Sequence, residues 1–190
     1  MPDKKHSDTP VDSCRNPTVA ILLGLAALGA LGACSPTFDW RSVPLPDTQL
    51  GAELPCRPAR FQRDVTVAGV PLKLFMLSCE AGGVTYGVAT ADVVDPARVE
   101  PVLAALVDSA RAGIRGNGTV GDWQPAGATP FHGNASGRLR GTRPDGVQVD
   151  EAIHVFGRGT RVYEATAIGA ALSDAATKPF EEGLRFQLVK

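Results

Sequence analysis

A single helical stretch set among segments patterned for strands leaves this chain few folds to choose from. Between Asp95 and Gly116 the apolar residues Val99, Val102, Leu103, Leu106, Val107, Ala110 and Ile114 recur at helical spacing, while Glu100, Asp108, Arg111 and Arg115 fall elsewhere. Asp95 is a good N-cap, and Pro96 stands at the first helical position, where a missing N–H costs nothing. Arg111 and Arg115 suit the negative pole of the helix, and Gly116 offers a left-handed terminating residue. Such a helix lies flat on a sheet.

The surrounding segments supply that sheet. Leu50 to Leu54 reads as a short first strand stopped by Pro55, and Phe61 to Ala68 and Pro71 to Cys79 flank Gly69-Val70 as a hairpin. In the second arm Leu72, Leu74 and Met76 share one face and Phe75 and Leu77 the other, so both faces need cover and the strand is central. Glu80 to Gly83 is a turn by composition, and Val84 to Ala91 continues as a strand. After the helix, short strands are expected around Thr119 to Trp123 and Gly137 to Arg143, in glycine-rich sequence whose register is weakly specified. Pro144-Asp145-Gly146 turns the chain into the alternation of Val147, Val149, Ile153 and Val155; Gly157 to Gly159 turns it again, and Arg161 to Ile168 returns. Leu172, Ala176, Phe180 and Leu184 then stand four apart on one helical face, but Pro179 would cost about 3 kcal/mol in a helix interior. We therefore expect a turn from Ser173 and a helix from near Pro179 to about Leu188. The fold class is α+β: an antiparallel sheet of about six to seven strands with one long helix and a C-terminal helix packed on it.

The N-terminal quarter of the chain reads differently. The residues from Val19 to Leu31 carry no charge, yet the run is shorter than the roughly 20 apolar residues of a transmembrane helix, so it is an export signal. It ends in Leu31-Gly32-Ala33-Cys34, which resembles the lipobox of bacterial lipoprotein signal peptides. That resemblance implies cleavage before Cys34 and a diacylglycerol on its sulfur, with residues 1–33 as signal peptide. It also implies a membrane-anchored protein of the bacterial cell envelope. Ser35, rather than an aspartate, follows the cysteine, which by the same analogy favours the outer membrane, facing the periplasm. Residues 34–47, with Pro36, Pro44 and Pro46, read as a stiff extended tether on which Trp40 packs against the domain, and residues 48–190 as a single domain.

With a formal net charge of −1 the chain lacks the basic footprint of a nucleic-acid binder. Export permits a disulfide; Cys56 follows the first strand and Cys79 ends the returning arm of the hairpin, so the two can meet at one end of the sheet. Candidate catalytic chemistry is sparse. His132 and His154 lie in different segments without metal-ligand spacing, and His154 alternates with Ala152 and Phe156 as a hydrogen-bonded, half-buried strand residue. Asp150 and Glu151 are adjacent and point to opposite faces of a strand, which argues against a glycosidase-type pair from these two. No histidine is placed beside Ser78, Ser136 or Ser173, and Gly113 to Gly118 follows a helix where a phosphate loop precedes one. No cofactor, metal or catalytic set is expected.

A strand into Leu54-Pro55-Cys56-Arg57-Pro58, a hairpin, the Ala81-Gly82-Gly83 turn, one long helix, a late hairpin reaching Arg161-Val162-Tyr163 and a terminal Phe180 to Phe186 segment together resemble the PsbP-like α/β sandwich of bacterial envelope proteins. Better-understood members of that group bind other proteins, so the resemblance implies a non-catalytic binding or assembly module with an envelope protein as partner. A carrier or sensor of a small apolar ligand is the alternative, and an unrecognised hydrolase a third. An exposed apolar patch would mark the first, an apolar cavity between sheet and helix the second, and convergent His, Asp and Ser side chains the third.

Overall fold

The computed structural model describes residues 37–187. The signal-peptide and lipobox readings, Leu31, Gly32, Ala33 and Cys34 included, lie outside the described residues.

Among the described residues two sheets and two helices make up the fold, which is α+β as expected. In chain order these are β1 (Arg41–Pro44), β2 (Leu50–Leu54), β3 (Ala59–Val67), β4 (Val70–Ala81), β5 (Val84–Asp92), α1 (Val99–Gly113), β6 (Asn117–Asp122), β7 (Ala135–Thr142), β8 (Gln148–Arg158), β9 (Arg161–Gly169), α2 (Asp174–Glu182) and β10 (Arg185–Phe186). The large sheet has seven antiparallel strands in the order β3-β4-β5-β9-β8-β7-β6, and the small one has three, β1-β2-β10. No helix among the described residues is long and apolar enough to cross a membrane.

Strand alternation gives the large sheet two buried faces. Leu72, Ala91, Val162, Ile153, Val155, Val149 and Leu139 meet the apolar stripe of α1 on one side. Phe75, Leu77, Tyr86, Val88, Ala165, Tyr163, Ala152 and Phe156 meet the small sheet and α2 on the other. The expected demand of β4 for cover on both faces is therefore met, though β4 is second from the edge rather than at the centre. Asp95 caps the single 3-10 turn, Pro96–Arg98, that leads into α1, accepting from the Ala97 N–H at 2.9 Å. At the other end Arg115, at φ 45°, takes the left-handed turn expected of Gly116. Gly116 is needed for space instead, since a Cβ there would come within 2.9 Å of the Arg140 carbonyl.

Three segments depart from the expectation. Residues 37–47 are no free tether. β1 pairs antiparallel with β2, Leu45 is fully buried, and the rings of Phe38, Trp40 and Tyr86 run in sequence at 5.8 and 5.9 Å. An extended proline-flanked segment is also a strand once a partner edge is available, and Trp40 supplies the reason to dock. The β3–β4 turn is Ala68-Gly69 rather than Gly69-Val70, with φ of 50° and 74°. A two-residue hairpin turn of this hand needs positive φ at both positions, which β-branched Val70 resists. Finally, α2 runs straight through Pro179 from a Ser173 N-cap, and Phe186 belongs to a strand paired with Leu50. The proline removes one hydrogen bond from a short helix whose buried side carries Ala176, Thr177 and Phe180, and burying Phe180 offsets that loss.

Cys56 and Cys79 form a disulfide, with Cα atoms 6.0 Å apart. It ties the exit of β2 to the end of β4, and so the small sheet to the large one. Replacing both cysteines by serine is expected to cost about 3 kcal/mol through the freed unfolded chain. Thermal unfolding of the oxidised protein against the double variant measures it, and an unchanged midpoint would refute a stabilising role.

Candidate functional site

Where the chain enters and leaves its hairpins at one end of the large sheet, charged side chains line up across the strands. Asp64 on β3 stands opposite Lys73 on β4; Asp92 at the end of β5 stands opposite Arg161, and Arg161 opposite Arg158 at the last pair of the β8–β9 hairpin. These residues face the small-sheet side, where the β1–β2 loop passes over them. A cleft of about 260 Å³ results, lined by Pro46, Asp47, Gln62, Lys73, Phe75, Thr90, Asp92 and Arg161. A neighbouring one of about 420 Å³ shares Asp47 and Arg161 and adds Thr48, Gln49, Arg158 and Tyr163.

The charges of this cleft are unevenly matched. Asp92 stays ionised below the ordinary carboxylate range because Thr160 donates to it, against the opposing effect of burial, with the Val94 N–H at 2.9 Å and the Arg161 charge adding to the effect. Arg161 reaches Asp92 only at 3.9 Å. Arg158 lays its guanidinium over the Phe186 ring, 4.6 Å from the centroid, and its Nη1 is buried with no hydrogen-bond partner. Aromatic packing holds it there. Phe156 stacks on Tyr163 at 5.2 Å, and Phe186 meets both rings edge-on at 6.0 and 5.4 Å. A buried cationic donor without an acceptor is costly, and a carboxylate or similar oxyanion is its natural complement.

The residues singled out in the sequence end up elsewhere. His154 is 4% exposed, boxed between Trp123 at 4.9 Å and Phe180 at 6.4 Å, and its Nδ1 has no partner. The hydrogen bond expected at this ring is not made at that nitrogen. Burial, with the Arg138 charge adding, pushes its pKa down to about 4, so it is neutral. The register does place Ser136 directly opposite His154, contrary to the expectation that no serine lies beside a histidine, yet the ring is sealed from solvent. His132 is exposed on the loop after Trp123, and no group of potential metal ligands occurs among the described residues. Asp150 and Glu151 do point to opposite faces. Asp150 binds Arg140 at 2.6 Å, which lowers its pKa, while Glu151 is buried beneath α1 with Oε2 unpartnered.

Two features escaped sequence reasoning. Glu164 shares the helix-side face with Glu151, and burial raises both to a pKa of about 7, with their mutual repulsion adding to the effect at Glu151. The signal was available, because Glu164 alternates with Val162 and Ile168, which also face α1. The unmatched Arg158 could not be found the same way, since it depends on how the β1–β2 loop and Phe186 close over the hairpin end. Asn134 is buried and structural: its amide donates to Gln124 and to the Thr129 carbonyl at 2.7 Å each and accepts from the Gly157 N–H at 2.9 Å. No protein-family model matches the sequence, and no curated protein matches it significantly.

Proposed function

We propose that this chain is a binding or assembly module, lipid-anchored through Cys34 at the outer membrane of the bacterial envelope and facing the periplasm, that receives an oxyanion-bearing segment of a partner protein in the cleft around Arg158 and Arg161. The observation that carries the reading is the buried, unpartnered Nη1 of Arg158, a residue that lines a solvent-open cleft whose other cation, Arg161, is only loosely matched. Paired guanidinium groups suit a carboxylate, and Phe75, Pro46 and Tyr163 offer apolar surface beside them. The lipobox-like Leu31 to Cys34 supports the anchor, Ser35 supports the outer membrane, and the likeness of element order to PsbP-like proteins supports protein binding by analogy. The large exposed apolar side chains, Phe61, Val94 and Val147, stand on three separate segments, so the reading rests on the charged cleft instead of an apolar patch. The space between α1 and the sheet is filled by Val99, Val102, Leu103 and Leu106, which does not favour an apolar-ligand carrier.

Crosslinking in intact cells, followed by identification of the captured protein, tests this. Arg158→Ala with Arg161→Ala is expected to reduce the captured partner by about tenfold or more, as loss of a paired charge contact does, while Cys34→Ser leaves the protein unprocessed and without its lipid. Recovery of only the bare protein, or capture indifferent to both arginines, would overturn the cleft; normal maturation of Cys34→Ser would overturn the anchor.

A further inference from the structure

β3 ends the large sheet, so among the described residues one side of its backbone has no strand beside it. It is long, nine residues, and Ala59 to Asp64 are exposed on both faces. Phe61, 50% exposed, stands at the middle of that stretch. An open edge of this length is a template for another strand. Arg60, Arg63 and Asp64 belong to no ion pair among the described residues.

From the charge pattern of this edge we infer that the occupant is β3 of a second copy, paired antiparallel about a two-fold axis at Gln62. Directly opposed residues in a continuous sheet share a face, so only registers centred on a residue are allowed. Centred on Gln62, the pattern is self-complementary over residues 59–65. On the small-sheet face Arg60 of each copy meets Asp64 of the other, and the two Gln62 amides meet at the axis. On the helix face Phe61 meets Arg63, and Ala59 meets Val65. The two guanidinium-to-ring contacts and two ion pairs arise together because the axis repeats each one. Centring on Arg63 or on Asp64 would oppose like charges, and centring on Phe61 would leave Asp64 without a partner. The resulting sheet has its α1 helices on one face and its small sheets on the other, so both chains enter from the same side. Gln62 also lines the cleft, but the cleft's cations, Arg158 and Arg161, stand on β8 and β9 and take no part in β3 pairing.

Cysteine crosslinking of the full-length chain in the cell envelope tests the register. Gln62→Cys is expected to give a covalent dimer on mild oxidation at about ten times the level of the parent chain or of Arg63→Cys, since opposed Cβ atoms at the axis come within disulfide reach. In the Gln62→Cys background, Arg60→Asp or Asp64→Arg is expected to cut the dimer about tenfold by opposing like charges twice, and the two changes together to restore it. A dimer trapped equally at 62 and 63, no dimer at either position, or a failure of the charge exchange to restore it would overturn the proposal. All four positions are exposed, and thermal unfolding of each variant separates loss of pairing from loss of fold.

Discussion

Phe156→Ala is expected to lower the free energy of unfolding by about 4 kcal/mol, the range for emptying a fully buried aromatic site. Phe156 is completely buried and touches a ring on every side: Tyr163 stacked at 5.2 Å, Trp123 at 5.9 Å and Phe186 at 6.0 Å. Removing it leaves a cavity between the large sheet and the small one, and the aromatic contacts add to the area lost. Urea denaturation should show a lower midpoint with an unchanged slope. Val147→Ala, at an exposed site, should change the free energy of unfolding by less than about 0.5 kcal/mol. Equal effects for the two variants would mean that the ring cluster is not a core. Because Phe186 carries the Arg158 guanidinium, Phe156→Ala should also weaken partner capture, and Phe156→Leu should lose less of both.

Glu151→Gln is expected to stabilise the protein above pH 7 by roughly 3 kcal/mol at most, and to bring no such gain near pH 4. In the folded protein burial holds the Glu151 carboxyl protonated up to about pH 7, whereas the unfolded chain releases that proton near pH 4.3. Between those values the native state binds more protons, so stability falls as pH rises; above pH 7 the buried, unpartnered carboxylate is charged in both states and the loss is complete. A glutamine fills the same space and never ionises. His154 slopes the other way. Its folded pKa of about 4 lies below the unfolded value, so its contribution is whole above about pH 6.5 and disappears as pH falls toward 4. Unfolding curves across pH 4–8 check the sign: a gain that grows as pH falls, or one independent of pH, would contradict a neutral Glu151.

Much of the fold was legible because its elements are locally encoded. The spacing of Val99 to Ile114 gives α1, Asp95 gives its entry, and Leu50 to Leu54 coincides with β2. The disulfide followed from two strand ends meeting. Errors came where a segment's conformation depends on a distant partner. Residues 41–44 look like linker until β2 is beside them, and Pro179 looks like a helix boundary until Phe180 is seen in the core. The glycine-rich stretch shows the same dependence. A Cβ at Gly137 would run into the Thr119 carbonyl, so glycine there permits the close approach of β6 and β7 that its composition alone left open.

Sequence by itself determined the α+β class, the one long helix, the order of the strands along the chain and the expectation of an exported, lipidated N-terminus, because periodicity, caps and turn residues act over a few neighbours. Tertiary structure alone decided that His154 is sealed and neutral and that Arg158 is left with an unmatched donor. Those outcomes depend on solvent exclusion and on partners brought from across the sheet, and no local pattern carries them.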